Sequence, residues 1–499
     1  MSIKASLSLL YAKFVCNKIA KWSNNPIVSQ EKVFTTLIKQ GGNTEFGKDH
    51  NFQMITDYES FKKNVPVKDY EDLKPYIEKI KAGQENILWP GLPNYFSKTS
   101  GTTSGAKYIP NTVESLNEQI KAAKNAILCY INETKKTDFV NGKMIFLQGS
   151  PELDNSLKVP VGRLSGIVAH HVPSYLQKNR LPSYETNCID DWETKISAII
   201  KETVNEKMTL ISGIPPWVQM YFDKLIETTG KRNIAEIFPE FSLFIYGGVN
   251  FEPYRAKFES TIGKHIDSIE TYPASEGFIA FQDSQKEEGL LLNINAGIFF
   301  EFIPADEYFD ENPSRISLKD VELNKNYALI LNTNAGLWGY SIGDTVKFVS
   351  LNPYRIVVSG RIKHFTSAFG EHVIGEEVDY ALQKATEELK IEVKEYHVAP
   401  QVNPPEGGIA YHEWFVEFTT EGVDLKNIAN KIDTLLQGKN SYYKDLRIGD
   451  MLSTLKITPL KPNAFNDYMK SIGKLGGQNK LPRLSNDRKI ADELTPFKI

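Results

Sequence analysis

The chain has 499 residues, of which 41% are hydrophobic and 24% charged, and its formal net charge is −4. That length exceeds what one hydrophobic core fills, so one large domain with at least one smaller one is expected. The near-neutral balance, with no basic run interleaved with aromatics, speaks against a nucleic-acid or membrane-surface binder.

The N-terminal stretch MSIKASLSLLYAKFVCNKIAKW sets Lys4 and Lys13 on either side of a short apolar segment, and no small-residue cleavage site follows. Leu7, Leu10, Phe14 and Trp22 fall near helical spacing, which predicts an amphipathic helix packed on the body. No segment is long and apolar enough to span a bilayer. The three cysteines, Cys16, Cys129 and Cys188, are scattered and form no CxxC pair. They argue against a disulfide framework or a thiolate zinc site and fit a reducing compartment. A cytoplasmic protein with no membrane partner is expected.

VSQEKVFTTLIKQ and DYEDLKPYIEKIKAG carry apolar residues three and four apart and read as helices, the second closed by Gly83. Next comes SKTSGTTSGAKYIP, from Ser97 to Pro110. Its glycines let the backbone come close, and its hydroxyls and amides suit phosphate oxygens. Gly101 and Gly105 are too close together for a Walker A loop, and no dinucleotide fingerprint is present. On these residues alone a polar surface turn is an equal reading.

From Lys143 onward, KMIFLQG, KMTLISG, FSLFIYGG, SIETYPA and YALILNT read as short buried strands of an α/β sheet. DWETKISAIIKETVNE and PPWVQMYFDKLIETTG read as helices between them, with Pro215 and Pro216 suited to a first turn. His170 and His171 lack further ligands at metal spacing, and no HExxH occurs. On a strand, adjacent histidines would face opposite ways. Ser165, His171 and Asp190 offer the residue types of a hydrolase triad without its G-x-S-x-G elbow. Near residue 350 the texture changes. A Gly-marked loop leads into a helix starting near Gly375. Strands VKEYHVAP, AYHEWFVEFT and LKITPL and the helix DLKNIANKIDTLL then predict a small α+β domain with two helices. The boundary falls at roughly residue 350, within a few residues.

Thr99-Ser100-Gly101-Thr102-Thr103-Ser104-Gly105-Ala106-Lys107 resembles the phosphate-binding loop of the acyl-adenylate-forming superfamily, roughly S/T-S-G-S/T-T-G-x-P-K. Ser104 replaces the later glycine and Ala106 the proline. These departures resemble the plant auxin-responsive acyl acid–amido synthetases and their bacterial relatives more than the acyl-CoA ligases. Three further stations follow in order. TYPASEGF, with Tyr272, Ser275 and Glu276, resembles the aromatic-x-x-S/T-E motif, which implies Glu276 as the Mg²⁺-holding carboxylate. GYSIGDTVKF resembles Y-R-x-G-D, which implies that Asp344 takes the ribose hydroxyls; Ser341 stands where the arginine usually does. SGRIKHFTSAFGEHVIGEEV, with Arg361, resembles the hinge motif that opens a mobile C-terminal domain. GGQNKLPRL resembles the late lysine motif, which implies Lys480 as a lysine that swings onto the nucleotide.

The resemblance covers nearly the whole chain. It implies an α/β fold with a large N-terminal adenylate-forming domain of mixed sheets and helices, 1–350, and a smaller mobile α+β domain, 351–499. Thr99, Ser100, Gly101, Thr102, Thr103, Lys107, Gly247, Gly248, Tyr272, Ser275, Asp344 and Arg361 are the nucleotide-binding candidates. Gly247 and Gly248 in YGGVNFEP would let adenine lie against backbone, with Tyr272 on its other face; a tight turn after a buried strand is the competing reading. Glu276 and Lys480 are the catalytic candidates. Arg163, Ser165 and His171 lie where relatives line the acyl pocket. The implied reaction uses ATP and Mg²⁺ to activate a carboxylic acid as acyl-AMP, releasing pyrophosphate, and then forms an amide with an amine such as an amino acid. Thioester formation with CoA is the nearest alternative, and a nucleotide binder that has lost turnover is another, supported only by Ser341. No nucleic acid is expected, and the chain is expected to be a monomer or weak oligomer.

Overall fold

A computed structural model gives the fold and describes every residue except 1–2, 103–104, 173–176, 190, 249–250, 363–364, 367, 372 and 473–480. The chain divides into two compact units. The larger comprises Met1–Thr99, Ala106–Gly248 and Phe258–Ile362; the smaller comprises Ser100–Gly105, Val249–Lys257 and Lys363–Ile499.

The strands along the first 361 residues are β1 (Tyr95–Thr102), β2 (Gly105–Asn111), β3 (Lys143–Phe146), β4 (Val161–Gly162), β5 (Arg180–Leu181), β6 (Met208–Ser212), β7 (Leu243–Gly247), β8 (Asp267–Ala274), β9 (Gly277–Phe281), β10 (Leu290–Leu292), β11 (Ile298–Pro304), β12 (Ile316–Ser317), β13 (Asn326–Thr333), β14 (Tyr340–Leu351) and β15 (Tyr354–Arg361). One sheet runs in the order β12-β11-β13-β14-β15-β10-β9-β8-β7-β6-β3-β5, and a second in the order β2-β1-β4. From β5 through β3, β6 and β7 to β8 the long sheet is parallel. Parallel neighbours need crossovers. The helices Trp192–Thr203, Pro215–Thr229 and Glu252–Ile262 fall in those connections. β6 and β7 are buried at four of five positions, as a sheet covered on both faces requires. From β8 to β12 every pairing is antiparallel. Pro215 does open its helix, and Gly230 closes it at φ +66°.

The N-terminal helix spans Ile3–Ser23, but the face it packs is not the one its large residues mark. Ala12, Val15 and Ile19 are buried in a cluster with Ala122, Ala126 and Cys129 of the helix Val113–Thr134. Leu7, Leu10 and Phe14 are 60%, 70% and 54% exposed. Alanines on both helices let the backbones approach closely, and bulky side chains at those positions would hold them apart. Of the four residues that suggested the packed face, only Trp22 turns towards the body, where it packs on the core. The next helix, Pro26–Gly41, is tied to the sheet by buried Gln30. Its amide donates to the carbonyls of Ile294 (2.7 Å) and Ile298 (2.8 Å), and its oxygen accepts from Phe300 N–H.

The smaller unit carries β16 (Phe365–Thr366) paired with β17 (Val373–Ile374), and a sheet of β18 (Val393–Gln401), β19 (Tyr411–Phe418) and β20 (Lys456–Pro459). Helices Gly375–Leu389 and Leu425–Lys439 are the two expected. Ser441–Ile448, Ala464–Ser471 and Lys489–Leu494 are additional. These short helices escape a sequence reading because two turns carry too few apolar repeats to show a period. Trp414 and Phe415 on β19 are fully buried.

Candidate active site

The site is built on the edge where the sheet changes from parallel to antiparallel. β8 and β9 form a hairpin in which Ala274 pairs with Gly277, so Ser275 and Glu276 are its two turn residues. A turn glutamate would ordinarily face water. Glu276 is instead buried, and the hairpin is held from behind by Gln119 of the helix Val113–Thr134, whose amide donates to the Ala274 carbonyl (3.1 Å). Ser275 is half-buried beside it. Burial pushes the Glu276 carboxyl above the ordinary glutamate range, and the positive charge of Lys107 on β2 pulls it back. Tyr340 at the start of β14 donates its hydroxyl to Glu276 Oε1 (3.4 Å).

β14 brings a second carboxylate to the same place. Its pairing with β13 shifts register between Ile330 and Ala328, at a bulge that holds Gly343 at φ +88°. After the bulge, Asp344 lies directly opposite Arg361 on β15, and the two side chains form an ion pair. Tyr272 of β8 donates its hydroxyl to the other oxygen of Asp344. Burial, followed by Asp344, drives the Tyr272 phenol far above its ordinary value, so it stays a donor at any physiological pH. Burial is the largest influence on Arg361 and opposes its charge, but Asp344, Tyr272 and Glu276 together outweigh it and the guanidinium is held even more firmly protonated. Tyr272, Glu276, Tyr340, Asp344, Arg361 and Lys107 thus form one polar cluster with two acids and two bases.

The remaining candidates fall as follows. Thr99 is a half-buried residue of β1. Ser100, Gly101 and Thr102 complete that strand, and only their backbone is described. Thr103 and Lys480 lie outside the described residues. Gly247 ends β7, where a Cβ would sit 2.3 Å from the Thr271 carbonyl oxygen, so neighbouring backbone requires glycine there. Gly248 follows at φ +84°, where a Cβ would meet the Ile214 side chain at 3.9 Å, so the backbone conformation is what favours glycine. Arg163 precedes the helix Leu164–His170 and lies against Gly149, whose N–H donates to Ser165 Oγ (3.3 Å). His171 lies 3.3 Å from the Tyr95 hydroxyl, and burial lowers its basicity. His170 and His171 therefore end a helix and do not lie on a strand. Ser165 and His171 are each engaged elsewhere, so the triad reading gains no support from them. Ser341, in the place of the usual arginine, is buried and receives the Tyr308 hydroxyl (2.8 Å).

Tyr340 and Gln119 contact the candidate site residues, and the motifs assign neither of them a role. Tyr340 stands inside the quoted GYSIGDT stretch, so its signal was present. Gln119 lies in a helix with no motif, and only the packing shows its contact.

The cluster sets two buried acids, Glu276 and Asp344, beside the cations Lys107 and Arg361. Models of the GH3 family N-terminal, central and C-terminal domains match residues 15–183, 291–361 and 376–489. The jasmonoyl-L-amino acid synthetase JAR4 of Nicotiana attenuata is 24% identical over 64% of this chain and 66% of that protein. The indole-3-acetic acid-amido synthetase GH3.3 of Arabidopsis thaliana is 22% identical over 93% of this chain and 90% of that protein. The solved structure of the GH3.15 acyl acid amido synthetase in complex with 2,4-DB shares the fold, with a TM-score of 0.63 at 16% identity, over 98% of this chain and 96% of that one. With all three domain models matched in order along its length, the chain belongs to the GH3 family.

Proposed function

We propose that this chain is an ATP-dependent acyl acid–amido synthetase. The observation that carries the reading is the clustering of Glu276, Asp344, Arg361 and Lys107 around buried Tyr340 and half-buried Tyr272, in a chain whose relatives are named as amido synthetases.

A carboxylate does not react with an amine because its oxygen is a poor leaving group. In the first step a carboxylate oxygen attacks the α-phosphorus of ATP. The bond to the β-phosphate oxygen breaks and pyrophosphate leaves, giving acyl-AMP. In the second step an amine nitrogen attacks the acyl carbon, the carbon–oxygen bond to AMP breaks, and the nitrogen loses a proton. Charge builds on phosphoryl oxygens during the first step, so positioned cations and donors do most of the catalytic work. Lys107 on β2 and Arg361 on β15 supply positive charge from the two sheets. Asp344, oriented by Arg361 and Tyr272, presents a carboxylate oxygen suited to ribose hydroxyls. Glu276 is a hard oxygen donor already desolvated, which fits it to hold Mg²⁺; that ion supplies positive charge against the phosphates. Thr99 to Thr103 would supply backbone and hydroxyl donors to phosphate, Ser275 a hydroxyl near it, and Gly247 and Gly248 a flat wall for adenine. Lys480 would bring a further cation during adenylation, with residues 351–499 as the mobile part. Arg163, Ser165 and His171 would line the acid's side.

The substrates are a small-molecule carboxylic acid and an amine, an amino acid by analogy with the named relatives. No helix among the described residues is long and apolar enough to cross a membrane. A cytoplasmic location and a monomer or weak oligomer complete the reading.

The test is pyrophosphate release with ATP and Mg²⁺ across a panel of carboxylic acids, with and without mixed amino acids, and with CoA in a parallel arm. Acid-dependent release with an amide product by mass spectrometry is expected, and Glu276→Ala should abolish it in a folded protein. A CoA thioester as sole product, or full activity in Glu276→Ala, overturns the reading.

A further inference from the structure

The N-terminal helix Ile3–Ser23 buries Ala5, Ala12, Val15 and Ile19 and turns a stripe of large apolar residues outward. Leu7, Leu10, Tyr11 and Phe14 are 60%, 70%, 45% and 54% exposed. They fall at positions i, i+3, i+4 and i+7, which is one stripe of a helix. Exposing one such residue is ordinary; four on one stripe mark a surface that is covered by something.

The charge around the stripe identifies what covers it. The helix contains Lys4, Lys13, Lys18 and Lys21 and no acidic residue at all. All four lysines are exposed. Lys18 and Lys21 fall on the apolar stripe itself at 100° per residue, and Lys18 Nζ lies 4.3 Å from the Phe14 ring centre. Lys124, on the neighbouring helix Val113–Thr134, lies 5.8 Å from the Tyr11 ring centre and adds a fifth cation. A net charge of −4 for the whole chain conceals this local excess.

We propose that this face docks the protein reversibly on an anionic lipid surface. Leucine and phenylalanine side chains would enter the boundary between headgroups and acyl chains, while the lysines meet phosphate groups. A second copy of the chain is a poor occupant. A two-fold contact sets the same patch against itself and would bring both sets of lysines together. A lipid surface supplies both the apolar layer and the opposite charge. The binding is modest, because one interfacial helix with a handful of basic residues gives weak, reversible attachment.

The full-length protein is co-sedimented with vesicles of phosphatidylcholine alone and of phosphatidylcholine mixed with phosphatidylglycerol. The bound fraction should rise at least about fivefold on the anionic vesicles and fall when sodium chloride is raised. Leu10→Glu/Phe14→Glu should return binding to the neutral-vesicle level, with melting temperature and acid-dependent pyrophosphate release unchanged. Lys18→Glu/Lys21→Glu, which leaves the apolar residues in place, should do the same. Equal binding to both vesicle types, or anionic binding unchanged in both variants, overturns the proposal. So does a concentration-dependent dimer in light scattering that Leu10→Glu/Phe14→Glu abolishes, since that assigns the face to a second copy.

Discussion

Glu276 occupies a hairpin turn and yet lies buried, with Tyr340 donating to it and Lys107 supplying the nearby charge. The Tyr340 bond is long, so it acts chiefly to orient the carboxyl. Tyr340→Phe keeps the ring in its buried place and removes only the hydroxyl. On the proposed reading this should lower kcat/KM for ATP about fivefold, roughly 1 kcal/mol, and raise the Mg²⁺ concentration needed for half the maximal rate. Pyrophosphate release measured across a Mg²⁺ series checks this, and an unchanged Mg²⁺ dependence would count against a positioning role. Glu276, Tyr272, Asp344 and Arg361 each stand in a motif and were legible one by one. Their mutual contacts were not. Arg361 faces Asp344 through the β14–β15 pairing, which shifts register at two irregularities between the turn and this pair, and neither strand by itself announces that register.

At the scale of elements, β19 of the smaller unit shows a buried charge that is fully compensated. Burial raises the Glu413 carboxyl, but Thr458 Oγ1, Lys498 and Arg488 all donate to it and hold it below the ordinary range. A depressed carboxyl adds stability above its unfolded pKa and loses it as pH falls through the folded value. Glu413→Gln should therefore cost about 2 kcal/mol near neutral pH, and the difference from the parent chain should shrink as the carboxyl protonates. Urea denaturation of both proteins at neutral and acid pH checks this; an equal deficit at both would assign the loss to packing alone. The two longer helices and the three strands β18, β19 and β20 of this unit were legible from their periods. The compensating cations come from residues 488 and 498, far from β19 in sequence, and no local pattern announces that pairing.

For the molecule as a whole, the proposed chemistry divides into adenylation and transfer, and Lys480 is assigned to the first. Lys480→Ala should lower acid-dependent pyrophosphate release by about two orders of magnitude, as expected for a cation that stabilises transition-state charge. It should leave amide formation from preformed acyl-AMP within a few-fold of the parent rate. Stopped reactions analysed for pyrophosphate and amide separate the two steps, and equal losses in both would remove the lysine from its assigned half-reaction.

The sequence by itself determined the α/β character of the chain, its main strands and helices, and the ordered motifs that carry the family resemblance. These depend on local properties: residue period, turn chemistry and the spacing of reactive types. The tertiary structure alone decided which face of the N-terminal helix is covered. Leu7, Leu10 and Phe14 satisfy the helical period as well as Ala12, Val15 and Ile19 do. The choice between the two faces rests on the partner helix, whose Ala122, Ala126 and Cys129 share a buried cluster with Ala12, Val15 and Ile19. Tertiary structure also decided that a turn glutamate is buried and that its hydroxyl partner arrives from β14, 64 residues away. Burial and register come from elements that meet in space, and a single stretch of sequence holds only one side of each contact.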